Sequence, residues 1–188
     1  MNVFAIFLTW FWGALEVALL VRDAVRGKGG TGQDRGTRRV NFLTFLAAIL
    51  AANGVHALLG DHSGWQIGSR HADLAVAALL VGLVLRIWAI ATLGREFRTS
   101  VEVEAGQAVV EAGPYRWIRH PSYTGLLLIL IGSGLAICDW LALIITALVP
   151  TAALLRRISV EERTLVDVLG QPYLDYQSHT KRLLPGLW

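Results

Sequence analysis

The chain has 188 residues, 54% of them hydrophobic, with 17 Lys and Arg against 14 Asp and Glu and a formal net charge of +3. Its mean hydropathy of +0.52 is too high for an ordinary soluble domain of this length, so it reads as an integral, multi-pass membrane protein of the all-α class. A nucleic-acid partner is disfavoured because the basic residues lie in separate loops; the single cysteine, Cys138, excludes an internal disulfide, and the histidines show no ligand-like pair that would hold a metal.

Val3–Val25 is apolar over a length that spans a bilayer, with neither a basic lead-in nor a small-residue cleavage signal, and it predicts a retained first transmembrane helix. Glu16 lies inside it, where a carboxylate is costly unless paired, so it is expected to face protein rather than lipid. Arg26–Arg39 is a glycine-rich basic connection, Val40–Leu59 a second span, Gly60–His71 a polar connection, and Ala72–Leu93 a third span with Arg86 within it. Glu16 and Arg86 are expected to serve the fold as a pair and to take no part in chemistry. Tyr123–Ile137 and Trp140–Leu155 are two apolar runs divided by Cys138-Asp139, each short for a full span, and predict a tight helical hairpin. Ser159 with Glu162 has the form of a capping box and predicts the start of an amphipathic helix to about Leu169, ended by Gly170 and Pro172. A short polar helix over 173–179 follows, and then a tail to Trp188 that is expected to rest on the interface through its leucines and tryptophan.

Lys and Arg number six from Arg22 to Arg39, one at Arg70, four from Arg95 to Arg119, none at the Asp139 turn and five from Arg156 to Arg182. With about five spans, that alternation predicts an external N-terminus and puts the 94–122 region and the C-terminal helices together on the cytoplasmic side. The chain divides into three N-terminal spans with their loops (1–93) and a loop, hairpin and C-terminal helices (94–188), one integrated membrane domain. Nothing in the residues sets an oligomeric state.

Chemistry concentrates in Gly113–Gly125, which sets Arg116, Arg119, His120, Tyr115 and Tyr123 between Pro114 and Pro121. Each proline biases the residue before it away from helix, so the segment predicts a shaped loop able to hold polar side chains still. Such residues suit either a small polar ligand or lipid phosphates. Arg157 and Glu161 lie four apart on one helical face at the same boundary, which by spacing alone is an ordinary ion pair.

The run Arg119-His120-Pro121-Ser122-Tyr123-Thr124-Gly125 after Gly113-Pro114-Tyr115, followed by Arg157-x-x-x-Glu161-Glu162, Leu169-Gly170-x-x-Tyr173-x-x-Tyr176 and Lys-Arg-Leu-Leu-Pro, resembles the isoprenylcysteine carboxyl methyltransferase family. Leu85-Arg86-x-Trp88-Ala89-x-x-x-Leu93-Gly94-x-x-Phe97 is similar to what precedes the cofactor region in prokaryotic members. The resemblance covers about Leu85–Pro185 and leaves out the first two spans. It implies S-adenosylmethionine as cofactor, bound by Glu102, Gln107, Ala108, Val109, Val110, Tyr115, His120, Pro121, Ser122, Tyr123 and Glu161. Gln107 stands where members often have histidine, and Glu102 where they have glutamine. It further implies Arg157 and Glu161 as the catalytic pair, with Arg157 binding the substrate. The expected acceptor is lipophilic and membrane-resident, a prenylated protein or small lipophilic acid entering through the short hairpin, with membrane lipids as the other partners. Methylation of a phospholipid amine is the nearest alternative; an arginine beside the acceptor favours a carboxylate over a protonated amine. A scaffold or transporter is less favoured, because five spans show no inverted repeat. A nicotinamide-dependent reductase lacks an arginine cluster for a 2′-phosphate.

Overall fold

The computed structural model describes residues 3–25, 37–59, 71–97, 99 and 108–186. Six α-helices form it: α1 (Val3–Val25), α2 (Thr37–Leu59), α3 (Ala72–Leu93), α4 (Pro121–Ala136), α5 (Trp140–Leu169) and α6 (Gln171–His179), with 3₁₀ turns at Gly94–Glu96 and Gly113–Arg116. Four of them, α1, α2, α3 and α5, are long and apolar enough to cross a membrane, and α4 is a shorter apolar helix. The protein is thus an all-helical integral membrane protein, as its composition requires.

The shortness of α4 follows from its place. It lies at the centre of the bundle, with Ile129 and Leu130 fully buried, against α3 on one side and α5 on the other. On α3 the buried positions Ala75, Leu79, Gly82, Leu83, Arg86 and Ala89 recur every three or four residues and form one stripe. Gly82 of α3 and Gly125 of α4 let the two backbones meet: a Cβ on either would lie 2.7 Å from the other's carbonyl oxygen. Tight small-residue crossings of this kind are how helices associate where lipid offers no hydrophobic drive.

Cys138, at φ 61, makes the turn from α4 to α5. Asp139 caps α5, accepting from Leu141 N at 2.8 Å and Ala142 N at 3.1 Å. From there α5 runs unbroken for 30 residues, about 45 Å at 1.5 Å per residue. The capping box expected at Ser159 is therefore corrected: Ser159 lies inside the helix, its hydroxyl donating to Leu155 O. Beyond Pro150 no proline or glycine interrupts the backbone ladder before Gly170, and the same serine pattern is satisfied by back-bonding within the helix. The helix ends where expected, on Gly170 at φ 62.

The C-terminal tail, whose Trp188 lies outside the described residues, has a role in the fold that the sequence did not indicate. Arg119 N donates to Lys181 O at 2.7 Å and His120 N to Arg182 O at 3.0 Å, while Thr124 Oγ1 donates to Leu183 O at 2.8 Å. Residues 180–183 thus lie along 117–120 as a short parallel pairing, and Leu183 is buried while Leu184 is exposed. The amides of Arg119 and His120, just before α4, needed acceptors, and the tail carbonyls supply them.

Candidate active site

Pro114 and Pro121 shape the segment between α3 and α4 as their residues dictate. Gly113 takes φ +56, with the space a Cβ would need filled by Thr92 and Trp88, and Pro114 enters the 3₁₀ turn. His120, at φ −124 and ψ 55, precedes Pro121, which opens α4. The turn sends Tyr115, His120, Ser122 and Tyr123 toward a cavity of about 1070 Å³.

Tyr123 is the junction of that cavity's polar wall. Its hydroxyl accepts from Arg157 Nε at 2.7 Å and donates to Glu161 Oε2 at 2.6 Å. The Arg157 guanidinium also lies 5.8 Å above the Tyr123 ring and donates through Nη2 to Thr99 O. The sequence spacing of Arg157 and Glu161 suggested a plain surface ion pair; instead Arg157 is 5% exposed and a phenol stands between the two groups. His120 stacks on the other side of Tyr123, ring centres 5.5 Å apart and planes 13° from parallel.

Behind this wall sits Glu162, buried as Glu161 is not. It accepts from Arg119 Nε at 2.8 Å and Arg182 Nε at 2.9 Å, and His120 Nε2 lies 3.3 Å away. The carboxylate ties α5 to the 117–120 segment and the tail at once, and Arg119 extends the tie to Thr180 O. Adjacent glutamates point about 100° apart around a helix, which lets Glu161 face the cavity while Glu162 holds its frame. Tyr176 donates to Tyr115 O at 2.7 Å; burial raises the Tyr115 and Tyr176 phenols well above their ordinary value.

Of the residues expected at the site, Ala108, Val109, Val110, Tyr115, His120, Ser122, Tyr123, Arg157 and Glu161 all line this cavity. Pro121 does not; it is fully buried at the start of α4 and acts on the shape of the turn. Glu102 and Gln107 lie outside the described residues. Tyr173 and Tyr176 of α6, and Phe97 and Thr99 after α3, join the wall; the two tyrosines and Phe97 carried a signal as members of the spaced motifs, Thr99 none.

Glu16 and Arg86 form the expected pair, Arg86 Nε and Nη2 reaching Glu16 Oε1 and Oε2 at 2.5 and 2.7 Å. Trp12 Nε1 also donates to Glu16, and Arg86 Nη1 donates to the carbonyl and hydroxyl of Ser122. The pair therefore secures the residue preceding Tyr123, and both its members line the cavity.

Much of the remaining lining is apolar and comes from the first two helices, joined by Leu126 of α4 and Leu154, Leu165 and Leu169 of α5. α1 packs on α3 and α4, whereas α2 packs chiefly on α5, so the two sequence neighbours hold to different partners. Gly13 and Val17 of α1 and Phe42, Phe45, Leu46 and Leu50 of α2 line the cavity, and Val17, Phe42, Leu46 and Leu50 are exposed. The cavity thus extends between α1 and α2. Close to their turn α4 and α5 pack tightly, since a Cβ on Gly134 would come 2.1 Å from Thr146 Oγ1.

Comparison with known proteins bears on residues 75–167, which match the model of the isoprenylcysteine carboxyl methyltransferase family. The protein-S-isoprenylcysteine O-methyltransferase of Xenopus laevis is 33% identical over 114 residues, covering 60% of this chain and 40% of the relative. The protein-S-isoprenylcysteine O-methyltransferase B of Arabidopsis thaliana is 29% identical over 148 residues, covering 78% and 70%. The solved structure of the eukaryotic intramembrane Ras methyltransferase ICMT superposes with a TM-score of 0.59 at 26% identity, over 85% of this chain and 54% of that one. The chain thus spans about half the length of that structure, and less of the Xenopus relative.

Proposed function

Because the chain belongs to the isoprenylcysteine carboxyl methyltransferase family, we propose that it is an S-adenosylmethionine-dependent methyltransferase acting on the carboxylate of a lipophilic, membrane-resident acceptor. A prenylated cysteine at a protein terminus is the favoured acceptor class. The whole chain works as one membrane domain, with its polar wall on the cytoplasmic side, where the alternation of basic residues puts it. The observation that carries the reading is the Arg157–Tyr123–Glu161 bridge in the wall of a cavity that continues as an apolar cleft between α1 and α2.

The residues present suit such a cofactor. A sulfonium needs a carboxylate and aromatic faces, and Glu161, Tyr115, Tyr123 and Tyr173 supply them in one cavity. When bound, S-adenosylmethionine supplies a methyl group already activated by the positive sulfur. Little acid or base help is then required of the protein, and positioning carries most of the rate. Arg157 would hold the acceptor carboxylate through the planar fork of its guanidinium, and Tyr123 would keep that fork and Glu161 in fixed relation. The apolar lining excludes water, which favours a step in which opposite charges neutralise one another.

Incubating the purified chain with labelled S-adenosylmethionine and S-farnesyl-N-acetylcysteine tests the reading. The expected product is a base-labile methyl ester; label found instead in the amine headgroup of phosphatidylethanolamine would replace the carboxyl acceptor by an amine.

A further inference from the structure

Asp23 lies near the end of α1 and is 1% exposed. A carboxylate so deeply placed requires matched donors. Its Oδ2 accepts from the Thr99 amide at 2.7 Å, and its Oδ1 from Arg22 Nε and Nη2 at 3.0 and 2.8 Å. Arg22 in turn donates to Phe97 O at 3.1 Å and lies 5.5 Å over the Phe97 ring. The end of α1 therefore grips the backbone just beyond α3 at the Phe97 carbonyl, the Phe97 ring and the Thr99 amide. Thr99 is held on its other side as well, since its carbonyl accepts from Arg157 Nη2. One residue thus has its amide on α1 and its carbonyl on α5.

We infer that Asp23 is a positioning residue: by fixing Thr99, it sets one anchor of Arg157, which the Tyr123 hydroxyl also holds. The inference rests on the methyl-transfer reading for its consequence and on the Thr99 contacts for its geometry. An arginine held at both Nε and Nη2 has its plane fixed, and orientation of the acceptor depends on that plane. The first helix, which lies outside the residues matched by the family model, then contributes to the acceptor side of the site without touching the acceptor. A carboxylate that merely fastened α1 to the bundle would act on stability and leave Arg157 alone. The Thr9–Ser133 hydrogen bond, at 3.3 Å between α1 and α4, is such a fastening and supplies the control.

The test compares Asp23→Asn and Ser133→Ala in the purified full chain, alone and with Arg157→Lys. Asp23→Asn is expected to speed amide hydrogen exchange of the 97–99 peptide by about tenfold. It should leave S-adenosylhomocysteine affinity unchanged and lower kcat/KM for S-farnesyl-N-acetylcysteine by about tenfold or more. Added to Arg157→Lys, it should cost little further, because both act through one guanidinium. Ser133→Ala should show none of this. Unchanged exchange at 97–99 overturns the inference, as does faster exchange with wild-type kcat/KM, or a loss fully additive to that of Arg157→Lys. If Asp23→Asn fails to fold, Arg22→Gln, which loses the Phe97 contacts at a partly exposed side chain, undergoes the same comparison. A wild type that binds S-adenosylhomocysteine but esterifies no carboxyl acceptor overturns the methyltransferase reading; the positional claim then stands or falls on whether Asp23→Asn and Arg157→Lys each loosen the 97–99 peptide.

Discussion

The Tyr123 hydroxyl donates a 2.6 Å hydrogen bond to Glu161 Oε2, joining the start of α4 to the last third of α5. Because the same oxygen accepts from Arg157, a single phenol separates the cationic and anionic sides of the wall. Tyr123→Phe keeps the ring on His120 and removes both bonds. Two hydrogen bonds to charged groups, worth about 1.5–3 kcal/mol each before overlap, imply a fall in kcat/KM of roughly 10-fold to 1,000-fold. Steady-state kinetics beside thermal unfolding checks this; a large loss of stability with normal turnover of the folded fraction would reduce Tyr123 to packing.

Arg157 and Arg156 are neighbours with opposite surroundings, the first buried and the second exposed. Arg157→Lys retains the charge but cannot reach Tyr123 and Thr99 together in the planar fork. Turnover should fall roughly 30-fold to 1,000-fold for about 2–4 kcal/mol lost, with S-adenosylhomocysteine affinity nearly unchanged by calorimetry. Arg156→Lys should be close to silent. Equal small effects from both would remove Arg157 from the acceptor site.

Glu162 holds three elements through Arg119, Arg182 and His120. Glu162→Gln leaves Arg119 buried without its counter-charge, which should cost about 3–5 kcal/mol. Glu111→Gln, at the half-exposed pair with His179, should cost at most about 1 kcal/mol. Unfolding in detergent distinguishes them, and similar midpoints for the two variants would contradict the role given to Glu162.

The Glu16–Arg86 pair lies at membrane depth. Glu16→Gln and Arg86→Gln should each destabilise the bundle by about 3–5 kcal/mol, whereas Glu16→Gln with Arg86→Met should be more stable than either, since removing both charges removes the uncompensated one. A double variant no better than the singles would show that the pair is not the source of the loss.

Orientation follows from labelling in a Cys138→Ser background with single cysteines at Ser63, between α2 and α3 in sequence, and at Ser178 on α6. The two should react from opposite sides of the membrane, with Ser178 on the cytoplasmic side. Reaction of both from one side would defeat the positive-inside assignment.

Local chemistry in the sequence determined a good deal: α1 and α3 run over the residues their apolar lengths indicated, Gly170 ends α5, and the prolines shape the turn before α4. Charges at membrane depth pointed to Glu16 with Arg86, because a bilayer tolerates neither alone. The ordered motif brought Tyr115, His120, Tyr123, Arg157 and Glu161 to one cavity. Only the tertiary structure decided what stands between them. Spacing four apart puts Arg157 and Glu161 on one face, but a phenol 34 residues before Arg157 reaches that face through the α4–α5 turn. The tail's pairing with 117–120 and the hold of Asp23 on Thr99 also join segments far apart in sequence. No periodicity encodes them; they depend on which helix packs against which, and that is set by close crossings such as Gly82 on Gly125.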